Sequence, residues 1–85
     1  MPNKNYINGA NRERRIMKKL ESEGWYCIRS AGSHGVVDIV ALRYSSIGKP
    51  YVRLIQSKKT GYLTPYEEEK RREVERQVGV TVEII

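Results

Sequence analysis

The fold is decided by the stretch from Val36 to Leu42, which reads VVDIVAL and carries a single charge, Asp38. A β-branched apolar run of this length predicts a buried strand, because branched side chains pack well on a pleated surface. Outward from this run, similar signals predict strands over residues 25–29, 51–58 and 80–85. Gly, Ser and Pro residues between the first three segments predict turns. Four strands are therefore expected, and we expect them to form one sheet.

A helix is predicted ahead of the first strand, over residues 8–23. Ile16, Met17 and Leu20 recur with the period of a helix and form an apolar stripe along it. Gly24 follows at the position where a helix is expected to stop.

A second helix is predicted by clear signals at both ends. Thr64 is a suitable N-cap, Pro65 fits the first helical position, and Glu67 completes a capping box. The helix is expected to run to about Val78 and to stop at Gly79. The element order is then αβββαβ. The rules for layered packing predict an α/β fold in which helices flank a mixed four-stranded sheet.

Length and charge limit the class of protein. The chain has 85 residues, which predicts a single domain over 1–85, and residues 1–8 are expected to form a flexible arm. Lys and Arg number 16 against 10 Asp and Glu, so the formal net charge is +6. This balance favours a polyanionic partner, most simply nucleic acid. A solvated basic surface without a partner is the alternative.

Composition excludes several kinds of site. No stretch reaches the roughly 18 apolar residues that span a bilayer, so no membrane partner is expected. The polar N-terminal segment lacks the apolar run of a secretory signal. Cys27 is the only cysteine and His34 the only histidine, which excludes internal disulfides, thiolate zinc clusters and multi-histidine metal sites. We therefore expect a reduced, cytoplasmic setting, and any catalytic metal must be bound mainly by oxygen.

Glu13 is the first polar residue in a place expected to be apolar. It lies three residues before Ile16 and seven before Leu20, which puts its carboxylate on the core-facing stripe of the first helix. The alternative is that Glu13 lies at the edge of that stripe, near the helix N-terminus, where a negative charge is mildly favourable.

Asp38 is the stronger signal, because it interrupts the apolar run. Strand alternation places it on the face of Val36, Val40 and Leu42. Burying an unpaired carboxylate costs several kcal/mol or more, so Asp38 requires a cation or hydrogen-bond donors. A structural ion pair with a basic neighbour is the alternative.

Gln56 and Lys58 lie two residues apart and share a strand face with Val52 and Leu54. The simple interpretation is that the strand becomes exposed at this end. If the second and third strands pair as a hairpin, Asp38 and Gln56 can lie side by side on one face. A carboxylate, an amide oxygen and an ammonium group would then converge near Glu13.

Such a cluster suits metal-assisted hydrolysis of phosphodiesters. Mg²⁺ prefers oxygen ligands, and Mn²⁺ is a possible substitute. Asp38 would anchor the ion, and the amide oxygen of Gln56 and the carbonyl of Ser57 would add ligands. Lys58 would orient or activate water, or stabilise the developing negative charge.

Three stretches together resemble a known family. Residues 29–33 (RSAGS), 37–41 (VDIVA) and 54–58 (LIQSK) look like those of the archaeal Holliday junction resolvases. These enzymes belong to the PD-(D/E)xK nuclease superfamily, whose restriction-endonuclease-like core is αβββαβ. The resemblance covers roughly residues 8–59 well and the remainder in outline.

The resemblance implies a role for each matching position. Glu13 corresponds to a helical glutamate that contributes to the metal site, Asp38 to the metal-binding aspartate and Lys58 to the catalytic lysine. Ser30 or Ser33 occupies the loop in which the family has a serine near the scissile phosphate.

Gln56 departs from the family pattern, which usually has glutamate there. The site then has one negative charge fewer, and Mg²⁺ is expected to bind more weakly unless substrate phosphate compensates. The family acts as a homodimer with one active site in each subunit, so a homodimer is expected here.

Basic residues near the proposed site are expected to follow the sugar–phosphate backbone without reading sequence. His34, alone in a Gly/Ser loop, either contacts phosphate or is simply a surface residue. The residues expected to contact nucleic acid are Arg12, Arg15, Lys19, Arg29, Ser30, His34 and Lys59.

The predicted function is a Mg²⁺-dependent endodeoxyribonuclease that cuts branched DNA, as a Holliday junction resolvase does in DNA recombination. The first alternative is a nuclease-fold module that binds branched or double-stranded DNA with little or no cleavage. The second is a nuclease for other branched or nicked DNA.

Overall fold

The computed structural model describes residues 4–30 and 35–85, with side chains from residue 9 onward. It contains two helices and four strands in the order αβββαβ, as the sequence predicted. The elements are α1 Lys4–Ser22, β1 Tyr26–Arg29, β2 Ile39–Arg43, β3 Tyr51–Gln56, α2 Pro65–Val78 and β4 Val82–Ile84.

The four strands form one mixed sheet in the order β1-β2-β3-β4. The first three pair antiparallel through short connections, and β4 pairs parallel to β3. A parallel neighbour requires a crossover, which α2 supplies. The predicted α/β fold with a mixed four-stranded sheet is therefore confirmed, and it is consistent with a restriction-endonuclease-like core.

The core lies between α1 and one face of the sheet. Leu20 of α1 packs with Ile39, Ala41 and Ile55, and the side chains of Ile39 and Ile55 are 0% exposed. Burying one such side chain stabilises the fold by about 1.5–3 kcal/mol. Trp25 packs against this cluster, so the turn that leaves α1 is part of the core.

The opposite face of the sheet is less completely covered. Leu54 and Val82 are buried there, but Tyr26 and Ile28 of β1 are 69% and 48% exposed. The register places Tyr26 beside Leu42 and Ile28 beside Val40, so these side chains share one apolar face.

The capping signals of α2 are confirmed. The Thr64 side chain accepts a hydrogen bond from the backbone of Glu67, whose side chain accepts one from the backbone of Thr64. Gly79 ends the helix with φ 78°, a left-handed conformation that glycine adopts without a Cβ penalty. No residue of α2 is buried, so the packing of α2 contributes less apolar burial than that of α1.

The N-terminal helix begins earlier than predicted. It starts at Lys4, so residues 4–8 are helical where a flexible arm was expected, and residues 1–3 lie outside the described part of the chain. Ala10 is buried, which ties this part of the helix to the rest of the protein. Asn8 can act as a helix N-cap, which is why a start at residue 8 was predicted, but the helix continues through it.

The strands are shorter than predicted at the end where β2 begins and β3 ends. Asp38 precedes β2, and Lys58 lies beyond β3. The backbone N–H of Ser57 donates to the side chain of Asp38, so a side chain replaces a strand partner at this point.

Over the residues that the structure describes, no helix combines the length and the apolarity that crossing a bilayer requires.

Candidate functional site

The predicted polar residues gather at the end of the sheet where β3 ends and β2 begins. Ile39 pairs with Ile55, so the next residues along, Asp38 and Gln56, are neighbours across the two strands. The backbone N–H of Asp38 donates to the carbonyl oxygen of Ile55 at 2.8 Å, which fixes this register up to the site. The predicted proximity of Asp38 and Gln56 therefore follows from the sheet pairing.

The side chain of Asp38 is half-buried and has both acidic and basic side chains near it. Its Oδ2 accepts a hydrogen bond from the backbone N–H of Ser57 at 2.8 Å. Burial raises the pKa of the Asp38 carboxyl, and the hydrogen bond from Ser57 opposes that effect. The negative charge of Glu13 raises this pKa further, whereas the charges of Lys58 and Arg29 lower it. The ionised form of Asp38 would thus be stabilised by a bound cation.

Glu13 extends from α1 to the site and forms an ion pair with Arg29 of β1. Its Oε2 lies 2.6 Å from Nε of Arg29, and both side chains are mostly buried. Glu13 therefore faces the sheet, as the apolar stripe predicted. Arg29, which we expected to contact DNA, is bound to this carboxylate.

Gln56 is 6% exposed, so the interpretation that the strand becomes exposed here is wrong for this residue. Its Nε2 lies 3.5 Å from Oε2 of Glu67, at the limit of a hydrogen bond. Its Oε1 is buried and has no hydrogen-bond partner among the described residues. A buried unsatisfied acceptor costs about 1–3 kcal/mol, so this oxygen is a natural place for a donor or a cation.

Lys58 extends beyond β3 and is held by α2. Its Nζ lies 2.8 Å and 3.1 Å from the two carboxylate oxygens of Glu67. The hydrogen bond from Lys58, followed by that from the backbone of Thr64, lowers the pKa of Glu67 to about 2.

From the sequence, Glu67 was expected only to cap the helix, and its place at the site was not predicted. The available signal was its position, at the start of the helix that directly follows the loop after Lys58.

A cavity of about 790 Å³ opens beside these residues. Its walls come from the middle of α1 and from the segment after β3. Nε of Arg12, in this wall, is buried without a hydrogen-bond partner among the described residues. The lining residues are Gly9, Asn11, Arg12, Glu13, Arg15, Ser57, Lys58 and Lys59. Cationic side chains therefore outnumber carboxylates in this cavity.

The remaining predicted site residues fall in three groups. The backbone N–H of Ser30 donates to the carbonyl oxygen of Asp38 at 2.8 Å, so Ser30 is adjacent to the site. Lys19 lies in the last turn of α1, away from the cavity lining. Ser33 and His34 lie outside the described residues.

The described residues offer a hard divalent cation oxygen ligands, but few of these are carboxylates. Within residues 4–30 and 35–85, no group of three or more His, Cys, Asp and Glu side chains is arranged to hold a metal. Asp38 and the unsatisfied Oε1 of Gln56 nevertheless offer two neighbouring oxygen donors of the type that Mg²⁺ prefers.

Comparison with known proteins gives one result. A family model described as archaeal Holliday junction resolvase (Hjc) matches residues 4–70, which run from α1 through β3 into α2. No curated protein and no solved structure matches the chain significantly.

Proposed function

Because the chain belongs to the archaeal Holliday junction resolvase family, we propose that it is a divalent-metal-dependent endonuclease that hydrolyses phosphodiester bonds in branched DNA. The observation that carries the proposal is the cross-strand proximity of Asp38 to Gln56, whose Oε1 is buried without a partner among the described residues, beside a cavity lined mostly by cationic side chains. A nuclease needs oxygen donors for a metal and positive charge for the phosphate in the same place, and this end of the sheet offers both. Such an enzyme would act on DNA inside the cell.

The metal ligands in this proposal are the carboxylate of Asp38, Oε1 of Gln56 and the carbonyl oxygen of Ser57. Mg²⁺ is the expected ion, with Mn²⁺ as a substitute. When bound, such an ion lowers the pKa of a coordinated water and offsets negative charge on the scissile phosphate. Glu13 contributes negative charge from the α1 side, although its contact with Arg29 must loosen if it is to take a ligand role.

Lys58 is the proposed catalytic cation. It lies in the cavity wall, and its ammonium group is fixed by Glu67 rather than free to move through solvent. From there it would donate hydrogen bonds to water or to phosphate oxygens as negative charge develops. On the family resemblance, Ser33, which lies between β1 and β2 in the sequence, would contact phosphate.

The phosphate backbone would be held by the basic wall of the cavity. Arg12, Arg15 and Lys59 line it, and the unsatisfied Nε of Arg12 is a donor available for an anion. Contacts of this kind hold DNA without reading sequence and weaken steeply with salt.

A homodimer is the proposed assembly. A four-way junction has two strands to cut, and the uncovered apolar face of β1 and β2, with Tyr26 and Ile28 exposed, offers a surface for a second copy. Light scattering should give a mass near twice 9.9 kDa. A monomer at micromolar concentration, with and without DNA, would refute this assembly.

The deciding experiment compares the wild type with Asp38→Asn on labelled four-way junctions and on linear duplex, in Mg²⁺, in Mn²⁺ and with chelator. The wild type should cut the junction in metal only. Asp38→Asn should lose cleavage and keep DNA binding, because the substitution removes the metal anchor and none of the basic surface. Equal cleavage by both proteins would contradict the site assignment. Lys58→Ala should also lose cleavage but keep metal binding.

A second candidate function is a nuclease-fold module that binds branched DNA without cutting it. Gln56 favours this reading, because it places a neutral amide beside Asp38, and the described residues contain no three-carboxylate cluster. The same experiment separates the two functions. Tight binding of the junction with no cleavage in either metal would establish the binding module.

A further inference from the structure

A carboxylate from α2 contacts both Gln56 and Lys58. Glu67 contacts both side chains, with Oε2 3.5 Å from Nε2 of Gln56 and 2.8 Å from Nζ of Lys58. Its side chain is only 23% exposed. A helix-capping role accounts for the contacts with Thr64, but it does not require the contacts with Gln56 and Lys58.

The contact with Gln56 decides which end of the amide faces the site. A carboxylate only accepts hydrogen bonds, so beside Glu67 the NH₂ group is favoured over the oxygen. The NH₂ group of Gln56 is turned toward Glu67, and Oε1 is left buried and unpartnered. Without Glu67 the amide would have no reason to keep its oxygen unsatisfied, and a rotation of the amide would replace an acceptor with a donor.

The contact with Lys58 fixes a flexible side chain. A lysine ammonium group is a compact charge on four methylene groups and has many accessible positions. Two contacts with one carboxylate, at 2.8 Å and 3.1 Å, restrict Lys58 to the cavity wall. Glu67 is itself fixed, because the backbone N–H of Thr64 donates to its Oε1 at 3.0 Å.

We propose that Glu67 is a positioning residue of the site, which turns the amide of Gln56 so that Oε1 faces the cation and which holds Lys58 beside it. The inference rests on the proposed metal-dependent function and adds α2 to the elements that build the site. In this proposal Glu67 supplies the site with the negative charge that Gln56, standing in place of a glutamate, does not supply.

The test uses Glu67→Gln, with Glu68→Gln as the matched control. Glutamine is accepted at this position of a capping box, so Glu67→Gln removes the charge and keeps the helix start. Glu68→Gln removes the neighbouring carboxylate, which pairs with Arg71 and has no role at the site. Calorimetry with Mg²⁺ alone and cleavage of a four-way junction are measured for each protein, with a thermal melt to check folding.

Glu67→Gln should lower both the Mg²⁺ affinity and the cleavage rate by about 10- to 100-fold, as is typical when a partner that orients metal ligands is removed. Glu68→Gln should match the wild type. The exchanged protein is the double variant Gln56→Glu/Glu67→Gln, in which the carboxylate and the amide trade positions. It should recover most of the lost Mg²⁺ affinity. The single change Gln56→Glu puts two carboxylates in contact, so without metal it should melt at a lower temperature than the exchanged protein.

The outcomes separate this inference from the proposed function. If the wild type binds Mg²⁺ and cuts, while Glu67→Gln does so as well as Glu68→Gln, the positioning role is overturned and the nuclease stands. If Glu67→Gln lowers only the melting temperature, Glu67 is a structural cap and the inference is again overturned. If the wild type neither binds Mg²⁺ nor cuts, the proposed function fails, and the inference fails with it.

Discussion

The two helices each bring one carboxylate to the same end of the sheet, but different forces hold them. Glu13 is carried by α1, whose Leu20 is buried against the sheet with Ile16 and Met17 packed beside it. Glu67 is carried by α2, in which no residue is buried. The α1 side of the site is therefore placed by apolar burial.

The α2 side depends more on polar contacts. A capping box begins the helix, and Arg71 pairs with Glu68 and Glu75 along it. Glu75 also accepts a hydrogen bond from the backbone N–H of Val82 at 2.7 Å, which ties the helix to β4. Apolar burial does not titrate and is not screened by salt, whereas contacts between charged groups do titrate and are screened. The two sides of the site should therefore respond differently to the same perturbation.

The largest effect should come from truncating the buried side chain of α1. Leu20→Ala removes methyl groups from the core and leaves a cavity, so we expect a loss of about 2–5 kcal/mol in the free energy of unfolding. Val74→Ala on α2 truncates a partly exposed side chain and should cost less than about 1 kcal/mol. Urea denaturation followed by circular dichroism measures both. Similar losses for the two variants would contradict the comparison.

An intermediate effect should come from the N-cap of α2. Thr64→Ala removes the acceptor for the backbone N–H of Glu67 and should cost about 1 kcal/mol. Thr81→Ala changes an exposed threonine just before β4 and should stay within about 0.5 kcal/mol of the wild type. A neutral Thr64→Ala would mean that the cap does not hold α2.

The smallest effect should come from acidification. The pKa of Glu67 is lowered from 4.5 to about 2, chiefly by Lys58, so the pair stabilises the fold fully above about pH 4.5. That contribution is lost as the pH falls toward about 2, because the unfolded chain then binds a proton more readily than the folded one. Partly exposed ion pairs are worth little, so the slope should be shallow.

Thermal melts between pH 5 and pH 2 test this prediction. Glu67→Gln should flatten part of the slope, and Glu69→Gln, which changes an exposed carboxylate on the same helix, should not. Identical slopes for the wild type and Glu67→Gln would show that the pair with Lys58 does not stabilise the fold.

The sequence predicted what depends on local signals. The end signals of α2 are read from Thr64, Pro65 and Gly79 alone, and the structure places the helix between them. The proximity of Asp38 to Gln56 follows from the predicted hairpin between the apolar runs of β2 and β3.

Contacts between residues far apart in the sequence could not be predicted from local signals. The contact between Glu67 and Lys58 depends on how the loop after β3 folds back, which no periodicity records. The early part of α1 carries the buried Ala10, and the early end of β3 coincides with a hydrogen bond from the backbone N–H of Ser57 to the side chain of Asp38. These contacts form only once the sheet and helices are assembled.

The single tryptophan reports on only one side of this molecule. Trp25 packs on the α1 side of the sheet, and the guanidinium carbons of Arg43 and Arg53 lie 5.8 Å and 5.2 Å from its ring centroid. The fluorescence of the indole ring should therefore report the packing of α1 and should not respond to α2. The far-ultraviolet circular dichroism signal, by contrast, reports both helices. Recording both during one titration separates the two sides of the site without any label.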